Sequence, residues 1–175
     1  MMKTLFLQPP SFEGFDGGAG SRYQARREIR SFWYPTWLAQ PAALVAGSRL
    51  IDAPPAGLSL GDVLPLAKDY ELVVMHTSTP SFANDVKVAQ AMKDLNPRLK
   101  VGFVGAKVAV EPGESLEAAR VLDFVGRNEF DFTIKDIAAG RAWDDIDGLS
   151  YRNAAGSIVH NRERARLKYS GSNAS

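Results

Sequence analysis

Short apolar runs alternate along the chain with longer stretches in which apolar residues recur at helical spacing. The apolar runs are typical of buried strands and lie at 4–7, 49–52, 72–75, 101–104 and 124–126. Spacings of three and four residues predict helices over 35–46, from Ser59 onwards, and over 82–95, 114–121 and 130–139. Strands that alternate with helices in this way indicate an α/β fold.

The predicted architecture is Rossmann-like (flavodoxin-like), with a doubly wound parallel five-stranded sheet in the order 2-1-3-4-5. Two further short strands, at 148–152 and 157–160, flank a turn and predict a C-terminal β-hairpin. We expect residues 1–161 to form one domain. Residues 162–175 are polar, basic and then rich in Ser, Gly and Asn, which predicts a disordered or truncated tail.

Composition narrows the chemistry. The chain has 175 residues, which suits one domain, and its 21 Lys and Arg against 20 Asp and Glu do not point to a nucleic-acid partner. Without cysteine, these residues cannot supply thiolate ligands to zinc or to an iron–sulfur cluster. His76 and His160 form no metal-binding motif, so no metal site is predicted. The apolar runs are far shorter than the ~20 residues that span a bilayer, so we expect no transmembrane segment. The expected location is cytoplasmic, with peripheral membrane association as an alternative.

In an open α/β sheet, ligands bind beyond the carboxyl ends of the strands. The candidate cofactor-binding residues therefore follow the first, third, fourth and fifth strands. They are Gln8, Pro9, Pro10, Ser11, His76, Thr77, Ser78, Thr79, Ser81, Gly105, Ala106, Lys107, Val108, Asn128 and Glu129. No catalytic residue is predicted among them.

Several of these residues also have a purely structural interpretation. The hydroxyls from Thr77 to Ser81 suit a phosphate or an amide-rich ligand, but one of them could simply cap the next helix. His76 could be a general base, a metal ligand or a core histidine. Strand alternation places it on the same face as Val74, where a helix would cover it. Gly105 permits either close approach of a ligand or a tight turn.

Three features between the first strand and the first helix have open roles. Gly17 to Gly20 does not follow the strand directly, so it indicates a flexible loop and not a phosphate loop. Four arginines could form a solvated face or could contact an acidic substrate or another domain. They are Arg22, Arg26, Arg27 and Arg30. A cluster of aromatic residues indicates either part of the hydrophobic core or a buried domain interface. It consists of Phe32, Trp33, Tyr34 and Trp37.

The order of short motifs along the chain is more specific than any one of them. In sequence order they are Pro9-Pro10, Pro-x-x-Leu-Ala-x-Pro at 35–41, Asp52-Ala53, Thr-Ser-Thr-Pro-Ser at 77–81, Val-Gly-Ala-Lys at 104–107, Asp-Phe-Val-Gly-Arg-Asn-Glu at 123–129 and Asp-Gly-Leu-Ser-Tyr-Arg-Asn at 147–153. This order resembles the N-terminal domain of cobalamin-dependent, class B radical-SAM enzymes. Within that family it is most similar to hopanoid biosynthesis-associated radical-SAM proteins of the HpnJ type. The resemblance covers residues 2–161.

The resemblance implies a cobalamin-binding module in an enzyme of hopanoid (lipid) biosynthesis. Cobalamin would lie over the carboxyl edge of the sheet, against 8–11, 77–81 and 105–108, with its nucleotide tail against the domain. The implied partner is a radical-SAM barrel domain, normally in the same chain, which acts on a lipid substrate. In the family that barrel uses C-x-x-x-C-x-x-C to hold the [4Fe-4S] cluster that cleaves S-adenosylmethionine. Because these residues include no cysteine, we expect them to be inactive alone.

Two departures from the family pattern keep an alternative open. The classical cobalamin-binding fold carries D-x-H-x-x-G after the first strand, whereas here 8–14 contain no histidine, as in many class B members. The usual Gly-Gly after the fourth strand is Gly105-Ala106 here. The alternative is a non-cobalamin structural or substrate-gating α/β domain that packs on a radical-SAM barrel. A phosphoreceiver is excluded because Gln8-Pro9 and His76-Thr77 stand where its acidic residues would be, and no glycine fingerprint supports nicotinamide binding.

Overall fold

The computed structural model describes residues 1–12 and 35–165. The glycines at 17–20, the arginines at 22–30, the aromatic residues at 32–34 and the tail at 166–175 lie outside the described residues. The interpretations attached to them stay predictions.

The described residues form one seven-stranded sheet with helices on both faces. The strands are β1 (Thr4–Gln8), β2 (Arg49–Asp52), β3 (Leu72–His76), β4 (Lys100–Val104), β5 (Phe124–Gly126), β6 (Leu149–Arg152) and β7 (Ile158–His160). The helices are α1 (Thr36–Leu44), α2 (Ala53–Ala56), α3 (Leu60–Val63), α4 (Phe82–Leu95), α5 (Ala106–Val110), α6 (Pro112–Ala118) and α7 (Phe130–Ala138). Short 3-10 turns cover Leu64–Lys68 and Trp143–Asp145.

The predicted strand order is confirmed, and the number of strands is larger than predicted. β2, β1, β3, β4 and β5 lie side by side in that order and run parallel. The C-terminal hairpin extends this sheet: β6 pairs antiparallel with β5, with Phe124 opposite Tyr151, and β7 pairs antiparallel with β6. Because β6 and β7 complete the same sheet, the sheet has seven strands and not five.

Two short helices, α2 and α5, were not predicted, and another helix, α6, is displaced. Residues 105–108 were expected to form a loop, but α5 begins at Ala106, directly after β4. Its sequence, Ala-Lys-Val-Ala-Val, is too short and too uniformly apolar to show a helical period. The helix predicted at 114–121 is α6, which starts with Pro112 in its first turn and ends at Ala118.

Two apolar layers hold the sheet between its helices. On one face, Leu5, Met75 and Phe103 pack with residues of α4, α5 and α6. On the other, Phe6 and Val74 pack with residues of α1 and α7. Strands with both faces buried are typical of a doubly wound parallel sheet. Ligands can then bind only beyond the ends of the strands, here called the carboxyl edge and the amino edge. None of the helices in 1–12 and 35–165 is long and apolar enough to cross a membrane.

Candidate functional site

The loop between β3 and α4 is folded around its own hydroxyl groups. The backbone N–H of Ser78 donates to Oγ of Ser81 over 3.1 Å, and the two hydroxyl oxygens lie 3.0 Å apart. Thr77 and Ser81 are completely buried, Ser78 is half-buried, and Thr79 is exposed. Within this predicted cluster, therefore, only Ser78 and Thr79 present hydroxyls to a ligand at the surface, and Ser81 instead locks the turn before the helix.

The loops after β3 and β4 touch at Gly105. The backbone N–H of Thr77 donates to the carbonyl of Val104 over 2.9 Å. Gly105 has φ +123°, and a Cβ there would lie 2.3 Å from the carbonyl oxygen of Thr77 and 3.1 Å from Nε2 of His76. Close approach of the two loops therefore accounts for the glycine, whether or not a ligand also contacts it.

His76 lies on the face of the sheet that α1 covers. Its imidazole packs against the indole of Trp37, with ring centroids 4.7 Å apart, and its backbone carbonyl accepts a 3.4 Å hydrogen bond from the buried side chain of Gln8. This agrees with the strand alternation that groups His76 with Val74. Its packing against Trp37 and next to Gly105 makes it part of the support of this edge. To ligate cobalt, the ring would have to leave that packing.

Asn84, which sequence reasoning missed, joins the first-strand loop to α4. Its side-chain amide donates to the carbonyl of Pro10 over 3.2 Å, and its side-chain oxygen accepts from the backbone N–H of Phe12 over 2.9 Å. One side chain thereby satisfies two main-chain groups of the loop that follows β1. Asn84 thus holds that loop against the start of α4, at the carboxyl edge.

Asp85 is a second missed residue, and it is fully buried beneath this edge. Burial raises the pKa of its carboxyl to about 8, against smaller lowering effects from the neighbouring polar groups of Thr77, Ser81 and Asn84. The carboxyl is therefore mostly protonated at neutral pH. The signal in the sequence was available: Asp85 stands three residues after Phe82 and four before Ala89, on the apolar face of α4.

The remaining predicted residues divide into supporting and surface positions. Pro9 and Pro10 are buried, and Ser11 is half-buried. Val108 belongs to the core, whereas Ala106 is exposed. Lys107 forms an ion pair with Glu111 and lies 5.4 Å from the ring centre of Phe82.

Asn128 and Glu129 lie after β5, and Asn128 contacts the segment that follows the hairpin. Both are exposed, and Asn128 has φ +47°. The amide of Asn128 donates to a carboxylate oxygen of Glu163 over 2.7 Å. Residues 162–164 also pair with the domain, since Arg162 contacts Asp147 and Arg164 contacts Asp136.

The accessible groups at this edge are of a kind that suits an amide-rich ligand. They are hydroxyls, a side-chain amide and the lysine at 107, and hydroxyls and amides can hydrogen-bond the amide side chains of a corrin. Within 1–12 and 35–165 no cluster of three or more His, Asp or Glu could hold a metal ion. Hydrogen bonds are therefore the contacts that this edge could offer to a corrin.

Comparison with known proteins supports the fold and does not identify a family. No family model matches the chain, and no curated protein matches it by sequence. Among solved structures, the chain is similar to the cobalamin-dependent S-adenosylmethionine radical enzyme OxsB with aqua-cobalamin and S-adenosylmethionine bound. The TM-score is 0.69 at 13% identity, over 95% of this chain and 23% of that one.

A second similar structure is the radical S-adenosylmethionine methyltransferase TsrM from Kitasatospora setae, with cobalamin and a [4Fe-4S] cluster bound. Its TM-score is 0.60 at 11% identity, over 97% of this chain and 30% of that one. This chain therefore spans less than a third of the length of these neighbours. At such low identity the likeness shows a shared fold, that of a domain found in two cobalamin-containing radical enzymes.

Proposed function

We propose that this chain is the cobalamin-binding module of a radical-SAM enzyme. The observation that carries the proposal is the match of nearly the whole chain to part of an enzyme with aqua-cobalamin bound. The carboxyl edge supports it, because half-buried Ser78 and exposed Thr79 follow β3, and Ala106 and Lys107 follow the neighbouring strand β4. Cobalamin would supply a cobalt centre to the chemistry of the whole enzyme.

The chain's own residues would bind and orient the corrin. Ser78 and Thr79 would donate hydrogen bonds from the loop after β3, and Asn128 and Glu129 would extend the same edge beyond β5. The cluster of Thr77, Ser81 and Asp85 would keep the loop in shape from below, because these side chains are buried. His76 would act through packing and not through cobalt.

A titration with hydroxocobalamin tests the proposal. We expect saturable binding with a shifted visible spectrum, and at least tenfold weaker binding for the triple alanine variant at 77, 78 and 79, since each lost hydroxyl contact costs about 0.5–1.5 kcal/mol. A double variant, Ser78→Ala with Thr79→Ala, should account for most of that loss if the surface hydroxyls do the binding. Ser157→Ala, an exposed hydroxyl on the hairpin turn, is the matched control. Unchanged affinity in the folded double variant would remove these hydroxyls from the site.

The substrate, partner and location are finer parts of the same proposal. The motif order from Pro9 to Asn153 supports a role in hopanoid biosynthesis, with a radical-SAM barrel that holds S-adenosylmethionine and the [4Fe-4S] cluster and acts on a lipid. A cytoplasmic enzyme that meets its lipid at the membrane surface would fit this role. The reading frame beyond codon 175 tests the partner directly: C-x-x-x-C-x-x-C should follow.

A second function has its own support. The contact between Gly105 and Thr77 and the internal bonding of Ser78 and Ser81 explain much of the loop without a ligand. A structural or substrate-gating domain on a radical-SAM barrel would need no more than this. Absence of any spectral change on adding hydroxocobalamin, with the fold intact by circular dichroism, would favour this second function.

A further inference from the structure

A cleft at the opposite, amino edge of the sheet has the composition of a binding site. It lies where β4 and β5 begin and β6 ends, and its volume of about 530 Å³ is within the usual range for a site that holds a small molecule. Trp143 and Tyr151 give it an aromatic wall, and Lys100, Arg120 and Arg152 give it positive charge. All of these residues lie away from the proposed cobalamin edge.

Asp123 contributes the negative charge of the cleft, and it is already neutralised. Its carboxylate contacts Lys93 at 2.7 Å and Lys100 at 3.4 Å, and it accepts a 2.8 Å hydrogen bond from the backbone N–H of Val101. Asp123 therefore does not neutralise the charges of Arg120 and Arg152, the two arginines that line the cleft.

Neither arginine has a carboxylate partner within the described residues. The guanidinium of Arg152 donates to two backbone carbonyls, those of Leu116 at 2.6 Å and Gly156 at 3.2 Å. Carbonyl oxygens fix the orientation of the group without cancelling its charge. Arg120 is exposed and is not part of any ion pair in 1–12 and 35–165. Both arginines also line a neighbouring cleft of about 640 Å³, so they stand where the two openings meet.

The aromatic wall is built from rings that contact one another. Trp143 makes edge-to-face contacts with Phe124 at 5.5 Å and with Tyr151 at 5.6 Å between ring centroids. Lys100 lies 5.8 Å from the centre of the Trp143 ring. Trp143 remains half-buried, although its neighbours Phe124 and Tyr151 are buried. A half-buried indole beside cations suits the flat apolar part of a charged ligand.

We propose that this amino-edge cleft binds a small organic anion with a flat aromatic body. The acidic group would pair with Arg120 and Arg152, and the aromatic body would pack against Trp143. The site does not depend on cobalamin binding at the opposite edge.

The test uses 2-naphthyl phosphate as the probe, followed by the shift of the Trp143 indole N–H signal in NMR spectra of ¹⁵N-labelled protein. The Trp143→Phe variant assigns that signal. We expect saturable shifts, and at least tenfold weaker binding of 2-naphthol and of inorganic phosphate, since each lacks one half of the recognised chemistry.

Variants locate the charge. Arg120→Ala should weaken the binding of 2-naphthyl phosphate about tenfold, because a charge-assisted contact is lost. The side chain is exposed, so its removal should leave the fold intact. Arg49→Ala removes an exposed arginine from β2, at the far side of the same sheet, and should leave the affinity unchanged. Equal binding of the naphthol and the phosphate ester, or an Arg120→Ala variant with wild-type affinity, would overturn the proposal.

Discussion

A Cβ placed at Gly105 would lie 2.3 Å from the carbonyl oxygen of Thr77. The loop after β4 and the loop after β3 are therefore packed main chain against main chain, and only glycine fits between them. This contact sets the spacing of the two loops on which the proposed cobalamin site depends.

Alanine at Gly105 should destabilise the protein by about 3 kcal/mol or more, from backbone strain at positive φ together with the overlap with Thr77. Gly57→Ala is the control, since Gly57 also has positive φ but has open space where a Cβ would stand. Its expected cost is about 1 kcal/mol. Urea unfolding measures both, and equal losses would show that the loop contact does not matter.

The stability of the protein should depend on the protonation of Asp85. The pKa of this carboxyl is about 8 in the folded protein against an ordinary value of 3.8, so between these pH values the folded state holds a proton that the unfolded state has lost. Stability should therefore fall as the pH rises from about 4 to about 8. Asp85→Asn removes this titrating carboxyl. The free energy of unfolding of the variant, relative to that of the wild type, should therefore increase as the pH rises through that window.

Denaturant unfolding at several pH values checks the expectation for Asp85. Asp94→Asn, which removes an exposed acidic group from the same helix, should follow the wild-type profile. If the difference between Asp85→Asn and the wild type stays constant with pH, the carboxyl does not hold its proton in the folded state.

Asn84→Ala should cost about 1–3 kcal/mol, since it leaves the backbone N–H of Phe12 and the carbonyl of Pro10 without this partner. Gln90→Ala, at an exposed position of the same helix, should cost much less. Hydrogen exchange adds a local measurement: protection of the Phe12 amide should fall in the first variant and persist in the second. Unaltered protection would show that the loop after β1 is held by other contacts.

The predicted domain boundary at residue 161 can be tested by truncation. Residues 162–164 contact the domain through Asp147, Asn128 and Asp136. A protein that ends at 165 should therefore unfold at a higher temperature than one that ends at 161. Thermal unfolding of the two proteins gives the answer, and identical midpoints would place the boundary at 161.

The sheet could be predicted from the sequence because its parallel strands are apolar on both faces. Runs such as 72–75 have few alternatives once helices flank them. The attachment of the hairpin to β5 could not be predicted in the same way, because strand pairing is set by tertiary contacts, here those of Phe124 and Tyr151. The helix α5 was missed because five residues show no period.

The site was only partly predictable for a related reason. The carboxyl edge follows from topology, so the positions after β1, β3, β4 and β5 could be named. Which hydroxyls face inward could not, because turn geometry decides it: Thr77 and Ser81 are buried while Thr79 is exposed. Asp85 was overlooked because an acidic residue in the first turn of a helix has an ordinary explanation in the helix dipole.

The added hairpin decides on which side of the molecule the chain emerges. A single antiparallel strand would have delivered it to the amino edge. Two strands reverse its direction twice, so β7 runs with the parallel strands and residues 161–164 arrive next to Asn128 and Asp147. The loop after β5 and the segment after β7 therefore meet at the carboxyl edge, where Asn128 donates to Glu163.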